Sequence, residues 1–328
     1  MTLSPHAVPP FPTLADVLAA DRRLQGVVRR TPLEPSPWLS HRAETDVLLK
    51  LESLQRTGSF KVRGAYNAVA SLPPEARARG LVTASAGNHG QGVALAATLV
   101  GCRATVFVPA DAPETKRRRI ARFGADLRTV DGGYDEAHHA AEAWARQTGA
   151  LYVHAFSDPA VVAGQGTVGL EVLRERPDVR TLVVPVGGGG LIGGIGVVAR
   201  AMGSGVRIVG AQTHETAAMH ASLAAGRLVS PPYGETICEG LSGDVDERSL
   251  GLASSVVDDI VLVSERDVRR AIRSLYEEEG VVAEGSAAVA AAAVLQGALN
   301  GAAGPAAVVL TGGNLDARRL AGILSTDD

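Results

Sequence analysis

Lysine is the scarcest charged residue in this chain of 328. It occurs only at Lys50, Lys61 and Lys116, and the other 29 of the 32 basic residues are arginine. Arginine keeps its proton and cannot serve as an amine nucleophile, so Schiff-base chemistry here rests on one of three side chains. Lys61 follows Ser59-Phe60 at the predicted start of a helix, where the positive end of the helix dipole disfavours a protonated amine. That placement, with partial burial, tunes a lysine toward nucleophilicity. Lys50 lies in an apolar stretch, where it would snorkel or pair with Glu52. Lys116 opens Lys116-Arg117-Arg118-Arg119, which reads as a solvated helix face rather than a nucleic-acid patch. Lys61 is the expected nucleophile and general base.

Two glycine-rich turns supply anion binding. Gly187-Gly188-Gly189-Gly190-Leu191 lies between a strand of the fully buried type and a helix. Glycine lets a ligand approach the backbone, and successive N–H groups at a helix start form an anion nest. The expected ligand is a phosphate, with a tight strand–helix packing turn as the alternative. The same glycines contain a formal G-x-G-x-x-G (Gly188, Gly190, Gly193), but a dinucleotide site also wants an acidic residue after the next strand. Gln212 stands there and argues against a nicotinamide cofactor. The second turn is Ser85-Ala86-Gly87-Asn88-His89-Gly90. Its helix start suits a carboxylate, and Asn88 can hydrogen-bond a ring oxygen or a substrate. A left-handed turn with Asn as a local cap is the alternative. His214, Glu215 and His220 lack the histidine spacing of a zinc-protease helix, and no serine lies in G-x-S-x-G.

The elements that must position these residues alternate. Strands are predicted over 46–51, 80–83, 103–108, 126–130, 181–186, 206–211, 259–263 and 306–310, with 151–154 extended. Helices are predicted over 13–26, 59–72, 90–100, from 116, 134–148, 164–176, from the glycines to 202, 265–278 and 286–299. Thr13 and Asp16 stand at capping-box spacing. Such alternation argues for βαβ units, a largely parallel sheet, and ligands at the carboxyl ends of strands. Residues 203–205 and 226–234 are expected loops.

Composition bounds the class. The chain is 46% hydrophobic and 20% charged with a net charge of −3, which supports a large buried core and argues against a general polyanion binder. Two cysteines, Cys102 and Cys238, cannot form a disulfide framework and point to a reducing compartment. No stretch reaches the ~18 apolar residues of a membrane helix. The N-terminal residues show neither a basic region nor an apolar run. The expected location is cytoplasmic.

Ser59-Phe60-Lys61-Val62-Arg63-Gly64-Ala65, residues 83–92 (TASAGNHGQG), 163–167 (AGQGT), the tetraglycine turn and 310–314 (LTGGN) stand in a characteristic order and spacing. Together they resemble the threonine/serine dehydratase and serine racemase group of fold-type II pyridoxal-phosphate (PLP) enzymes, relatives of the tryptophan synthase β subunit. The resemblance runs from Leu14 to Leu320. It implies two open α/β domains with parallel sheets and helices on both faces: residues 1–81 and 156–328 as a large PLP-binding domain, and 82–155 as a small mobile one. It implies Lys61 as the Schiff-base lysine, Phe60 near the cofactor ring and Asn88 on its 3-hydroxyl. Gly187, Gly188, Gly189, Gly190 and Leu191 would hold the phosphate, and Thr311 would face the pyridine nitrogen. Ser85, Ala86, Gly87, Asn88 and His89 would bind the substrate carboxylate.

The implied reaction is β-elimination from a β-hydroxy amino acid such as L-threonine or L-serine, giving a 2-oxo acid and ammonia. A racemase or β-replacement enzyme is the alternative within PLP chemistry, and an NAD(P)-dependent oxidoreductase outside it. A homodimer is implied, with neither nucleic acid nor membrane as partner. Four positions depart from the pattern. Ala86 stands where the racemases have a serine. Gln212 and Ala218 replace the acidic residues of the group's cation site, so no metal is expected. Glu239 stands where many relatives have Asp. The short run after Asn314 leaves no regulatory domain to expect.

Overall fold

A computed structural model describes residues 11–203, 205–243 and 245–325. Residues 1–10 of the expected large domain, and residue 204 of the expected 203–205 loop, lie outside the described residues. The strands are β1 (Leu33–Pro35), β2 (Val47–Leu51), β3 (Leu81–Ala84), β4 (Ala104–Pro109), β5 (Asp126–Val130), β6 (Leu151–Tyr152), β7 (Thr181–Pro185), β8 (Arg207–Thr213), β9 (Asp259–Val263) and β10 (Ala306–Leu310). They form a six-stranded sheet in the order β1-β2-β10-β7-β8-β9 and a four-stranded sheet in the order β5-β4-β3-β6. Every pairing is parallel except β1 with β2. This is the expected α/β class of open parallel sheets with helices.

The larger sheet joins the two ends of the chain. Val308 of β10 lies beside Leu49 of β2 on one side and Val183 of β7 on the other. β2, β7 and β10 are buried at every position, as continuous apolar runs demand when helices cover both faces. The alanine-rich Gly285–Leu295 helix is buried from Gly285 to Val294 and packs on β10, β7 and β8. Its methyl side chains let it lie close to the sheet. The smaller sheet comes entirely from residues between Leu81 and Tyr152, with the Asn88–Val100 and Tyr134–Thr148 helices against it.

Thr13 and Asp16 form the expected capping box at the head of the Leu14–Leu24 helix. The helix expected from Gly164 begins instead at Pro159. Asp158 caps it, its carboxylate accepting from Ala160 N at 2.7 Å, and proline suits the first turn. Its glycines are contact points and do not break it: a Cβ on Gly164 would lie 2.6 Å from the Arg63 carbonyl oxygen. β1 and the Pro37–Ala43, Ala218–Ala225, Glu247–Val256 and Ala317–Ser325 helices were not expected from the sequence. No described helix is long and apolar enough to cross a membrane.

Candidate active site

Lys61 opens the Lys61–Ser71 helix. Two strand-like contacts fix that helix start beside the end of β10: Phe60 N donates to Thr311 O at 3.1 Å, and Ser59 bridges Gly312. Two glycine contacts hold the helix laterally. A Cβ on Gly92 would sit 3.1 Å from the Lys61 carbonyl carbon, and one on Gly64 would strike Gln165 and the Val161 carbonyl. The Lys61 amine donates to Ala155 O at 3.1 Å and lies 5.3 Å from the centroid of the Phe60 ring. Burial pulls it down to about 8, against the opposing charge of Glu284. It thus holds its proton less tightly than an ordinary lysine does.

The residue after Ala155 links the amine to the glycine turn. A Cβ on Gly188 would meet the Phe156 ring at 2.5 Å, and one on Gly190 would meet the Phe156 carbonyl oxygen at 2.5 Å. The turn follows β7, and Gly190 starts a helix to Ala201 that carries Leu191 in its first turn. Gly189 has φ +89°, which L side chains rarely adopt. The N–H groups of Gly187, Gly188 and Gly189 bond to no acceptor among the described residues. Three unpartnered N–H groups in sequence at a helix N-terminus are the donor set an oxyanion requires.

The second turn follows β3. Ser85 N donates to Phe107 O at 3.0 Å, and Ser85 Oγ accepts from Gly87 N at 3.2 Å. Ala86 packs against the apolar cluster of Ala94, Val106, Val108, Ala112 and Ile120. Asn88, first residue of its helix, donates through Nδ2 to Glu284 Oε1 at 2.6 Å and accepts from Asn314 Nδ2 at 2.7 Å. Glu284 thus bonds Asn88 directly and acts on Lys61 through its charge. Burial pushes its carboxyl up to about 7. His89 goes elsewhere: its ring is buried, with Nε2 3.0 Å from Val153 O, and burial holds it down at about 3. It is neutral, and only its backbone belongs to the turn. Thr311 is buried, with Oγ1 donating to Ser286 O at 3.1 Å.

Lys50 and Lys116 are both spoken for, Lys50 not as expected. Lys50 pairs with Glu171 at 2.6 Å and donates to Thr31 O, because Glu52 is already taken by Arg63. Lys116 is partly exposed on its helix face and pairs with Glu239, which also accepts from Arg319 at 2.8 Å. Gln212 does not sit in an open ligand site. Its amide clips the turn after β8, donating to Thr216 O at 2.6 Å and accepting from His220 N at 2.9 Å.

Glu284, Asn314 and the Ala155–Phe156 step escaped the sequence reading as site residues. Glu284 carried a signal. It takes the N-cap position of the buried helix yet makes no cap bond, whereas Ser, Thr, Asp and Asn are the ordinary caps. Asn314 closed a recognised motif without an assigned role.

The donor set fits pyridoxal phosphate: an amine with a depressed pKa, an aromatic face beside it, an amide, a buried hydroxyl and an N–H cradle for the phosphate. Comparison with known proteins agrees. The model of the pyridoxal-phosphate dependent enzyme family matches residues 24–312. An L-threonine ammonia-lyase of Thermotoga maritima is 44% identical over 317 residues, covering 95% of this chain and 78% of its own length. Maize serine racemase superposes with a TM-score of 0.92 at 30% identity, covering 95% of this chain and 97% of its own. The processed form of threonine deaminase isoform 2 from Solanum lycopersicum gives 0.89 at 32%, covering 98% and 92%. With that match over most of its length, and with the residues present to hold the cofactor, the chain belongs to the family of pyridoxal-phosphate-dependent enzymes.

Proposed function

We propose that the protein is an ammonia-lyase acting on a β-hydroxy amino acid, with L-threonine and L-serine as its substrates. The observation that carries the reading is the depressed amine of Lys61, tied through Ala155 and Phe156 to the free N–H groups of the glycine turn. The 44% identity to an L-threonine ammonia-lyase supports it.

When bound, pyridoxal phosphate supplies the electron sink that acidifies the substrate Cα–H. Each residue then has a task. Gly187, Gly188, Gly189, Gly190 and Leu191 hold the phosphate, Phe60 flanks the ring, Asn88 donates to the 3-oxygen and Thr311 faces the ring nitrogen. A hydroxyl there makes a milder electron sink than a carboxylate would, which suits expulsion of a β-group. The Ser85–His89 turn receives the substrate carboxylate on its N–H groups. Lys61 takes the Cα proton as general base. The substrate loses its β-hydroxyl as water, then exchanges nitrogen for oxygen from a second water, leaving a 2-oxo acid and ammonia.

In this reading residues 82–155, which hold all of the four-stranded sheet but Leu81, move as a small domain against 1–81 and 156–328. A homodimer in the cytoplasm belongs to the same proposal. The test is to supply L-threonine and L-serine to the cofactor-loaded enzyme and measure 2-oxo acid and ammonia in equal amounts. No turnover of either substrate, with cofactor bound, overturns it.

A further inference from the structure

We infer that Glu284 and Asn314 are positioning residues that lock the Asn88 amide with an N–H toward the ligand, and so select an anionic oxygen opposite it. The inference rests on the reading of Asn88 as the partner of the cofactor's 3-oxygen.

The orientation follows from donors and acceptors that can play one role only. Thr57 O can only accept, and Asn314 donates to it at 2.8 Å, which fixes which end of the Asn314 amide is nitrogen. Arg119, a pure donor, lies 3.5 Å from the other end, Asn314 Oδ1, in agreement. The second N–H of Asn314 points at Asn88 at 2.7 Å, so the atom it meets must be the carbonyl oxygen. Asn88 Nδ2 then faces Glu284 Oε1 at 2.6 Å, and a carboxylate accepts. One N–H of Asn88 stays unassigned among the described residues, and its oxygen is occupied.

The backbone packs closely around Glu284 and Asn314. Glu284 N donates to Gly312 O at 3.0 Å. A Cβ on Gly312 would lie 2.5 Å from Glu284 Oε1, and one on Gly58 would lie 2.6 Å from Asn314 Oδ1. Both relay members therefore lie against glycines that leave room for them and for little else. Asn88 starts the helix after β3, Glu284 precedes the buried Gly285–Leu295 helix and Asn314 follows β10, so the relay also spans the two sheets. An N–H aimed at a phenol oxygen favours the phenolate, because a phenol needs an acceptor for its own proton. The cofactor bound as phenolate absorbs in the visible, and as phenol in the near ultraviolet.

The experiment reads absorption spectra of holoenzyme variants without substrate, with bound cofactor quantified after alkali release. Asn88→Ala is expected to move absorbance from the visible to the near-ultraviolet band. Glu284→Leu and Asn314→Asp should do the same, shifting the band ratio by about tenfold, the scale of one hydrogen bond to a charged group. Asn314→Asp turns a donor into an acceptor and draws the Asn88 nitrogen toward it. Glu284→Gln keeps an acceptor and should keep the wild-type spectrum. If Asn88→Ala changes nothing, the role given to Asn88 fails and the inference falls with it. If Asn88→Ala shifts the bands while both Glu284→Leu and Asn314→Asp bind cofactor with the wild-type ratio, the relay alone is overturned. Should Glu284→Leu fail to fold, Asn314→Asp and Glu284→Gln decide the matter.

Discussion

The Lys61 amine lies 3.1 Å from the carbonyl oxygen of Ala155. Residue 61 opens one helix and residue 155 precedes another, so the contact closes one wall of the site across both. Lys61→Ala is expected to lose the covalently held cofactor and to lower turnover by about 10²–10⁴-fold or more. Borohydride reduction of the wild-type holoenzyme followed by peptide mapping should place the label on Lys61. Label on Lys50 or Lys116 would refute the assignment, and the ion pairs of those two side chains argue against it.

Gly188 and Gly190 respond differently to the same substitution. At Gly188 the nearest atoms to an added methyl are those of the Phe156 ring, with Cγ at 2.5 Å, so the side chain must shift as a whole; at Gly190 they are the Phe156 carbonyl oxygen and Cα, so the backbone must shift. Gly190→Ala should therefore cost about 1–3 kcal/mol of stability, as overpacking against backbone does. Gly188→Ala should cost less and show mainly as weaker cofactor retention. Equilibrium denaturation of the apoprotein and cofactor titration separate the two effects. Equal destabilisation by both substitutions would contradict the argument.

Arg63 lies two residues beyond Lys61 and has no exposed surface. Its Nε and NH2 grip Glu52 at 2.8 Å, while NH1 and NH2 reach Glu171 at 2.6 and 3.0 Å. Glu171 also binds Lys50, so two cations and two carboxylates neutralise one another out of water. Burial alone would raise the Glu52 carboxyl, but Arg63 beside it holds it below its ordinary value. Arg63→Met strands Glu52, leaves Glu171 with Lys50 alone, and should destabilise by about 3–5 kcal/mol. Arg63→Lys should not restore stability, since an ammonium cannot fork to both carboxylates. Urea denaturation measures both variants, and a loss below about 1 kcal/mol would be the scale of a surface pair instead.

Much of this was legible in the sequence, for physical reasons. β10 was read at its true bounds because a covered parallel strand must be a continuous apolar run between turns. The rarity of lysine isolated Lys61 without any structural knowledge. Long-range pairing was not legible. Lys50 was expected beside Glu52, two residues away, yet it reaches Glu171 on the Pro159–Glu175 helix. Nothing local announces which carboxylate a buried cation will find. The start of that helix was misread because Gly164 and Gly166 look like breakers in one dimension. In three dimensions they are where helices touch. Glu284 drew no reading from the sequence, since its partner Asn88 lies 196 residues away along the chain.

His89 carries a pH prediction. Burial, with the charge of Lys61, holds its imidazole down at about 3, against an ordinary value of 6.5. The unfolded chain takes up this proton below pH 6.5, the folded chain only below about 3. Folded-state stability is therefore lost as pH falls from 6.5 toward 3, and none is lost above 6.5 on this account. At pH 5 the loss assigned to His89 is about 2 kcal/mol. Denaturant melts at pH 7 and pH 5 should show His89→Gln losing less stability between the two than the wild type. Identical losses would place the imidazole's pKa near its ordinary value.

Elimination should greatly exceed racemisation, despite the TM-score of 0.92 to a serine racemase. Inverting Cα requires a proton removed on one face and delivered on the other. In the proposed reaction Lys61 serves one face. The position that the racemases fill with a serine on the other is Ala86, whose methyl neither donates nor accepts and which packs into the apolar cluster behind β4. The adjacent hydroxyl, Ser85 Oγ, is engaged within its own turn by Gly87 N at 3.2 Å. In the same reading Thr311 would offer the ring nitrogen a hydroxyl already donating to Ser286 O, so charge built at Cα would be better relieved by expelling the β-hydroxyl than by waiting for a proton. With L-serine as substrate, chiral chromatography should find 2-oxo acid far in excess of D-serine. Ala86→Ser should raise the D-serine fraction if a hydroxyl there is what inversion lacks. D-serine forming as fast as oxo acid in the wild type would show that a proton donor other than residue 86 serves the second face.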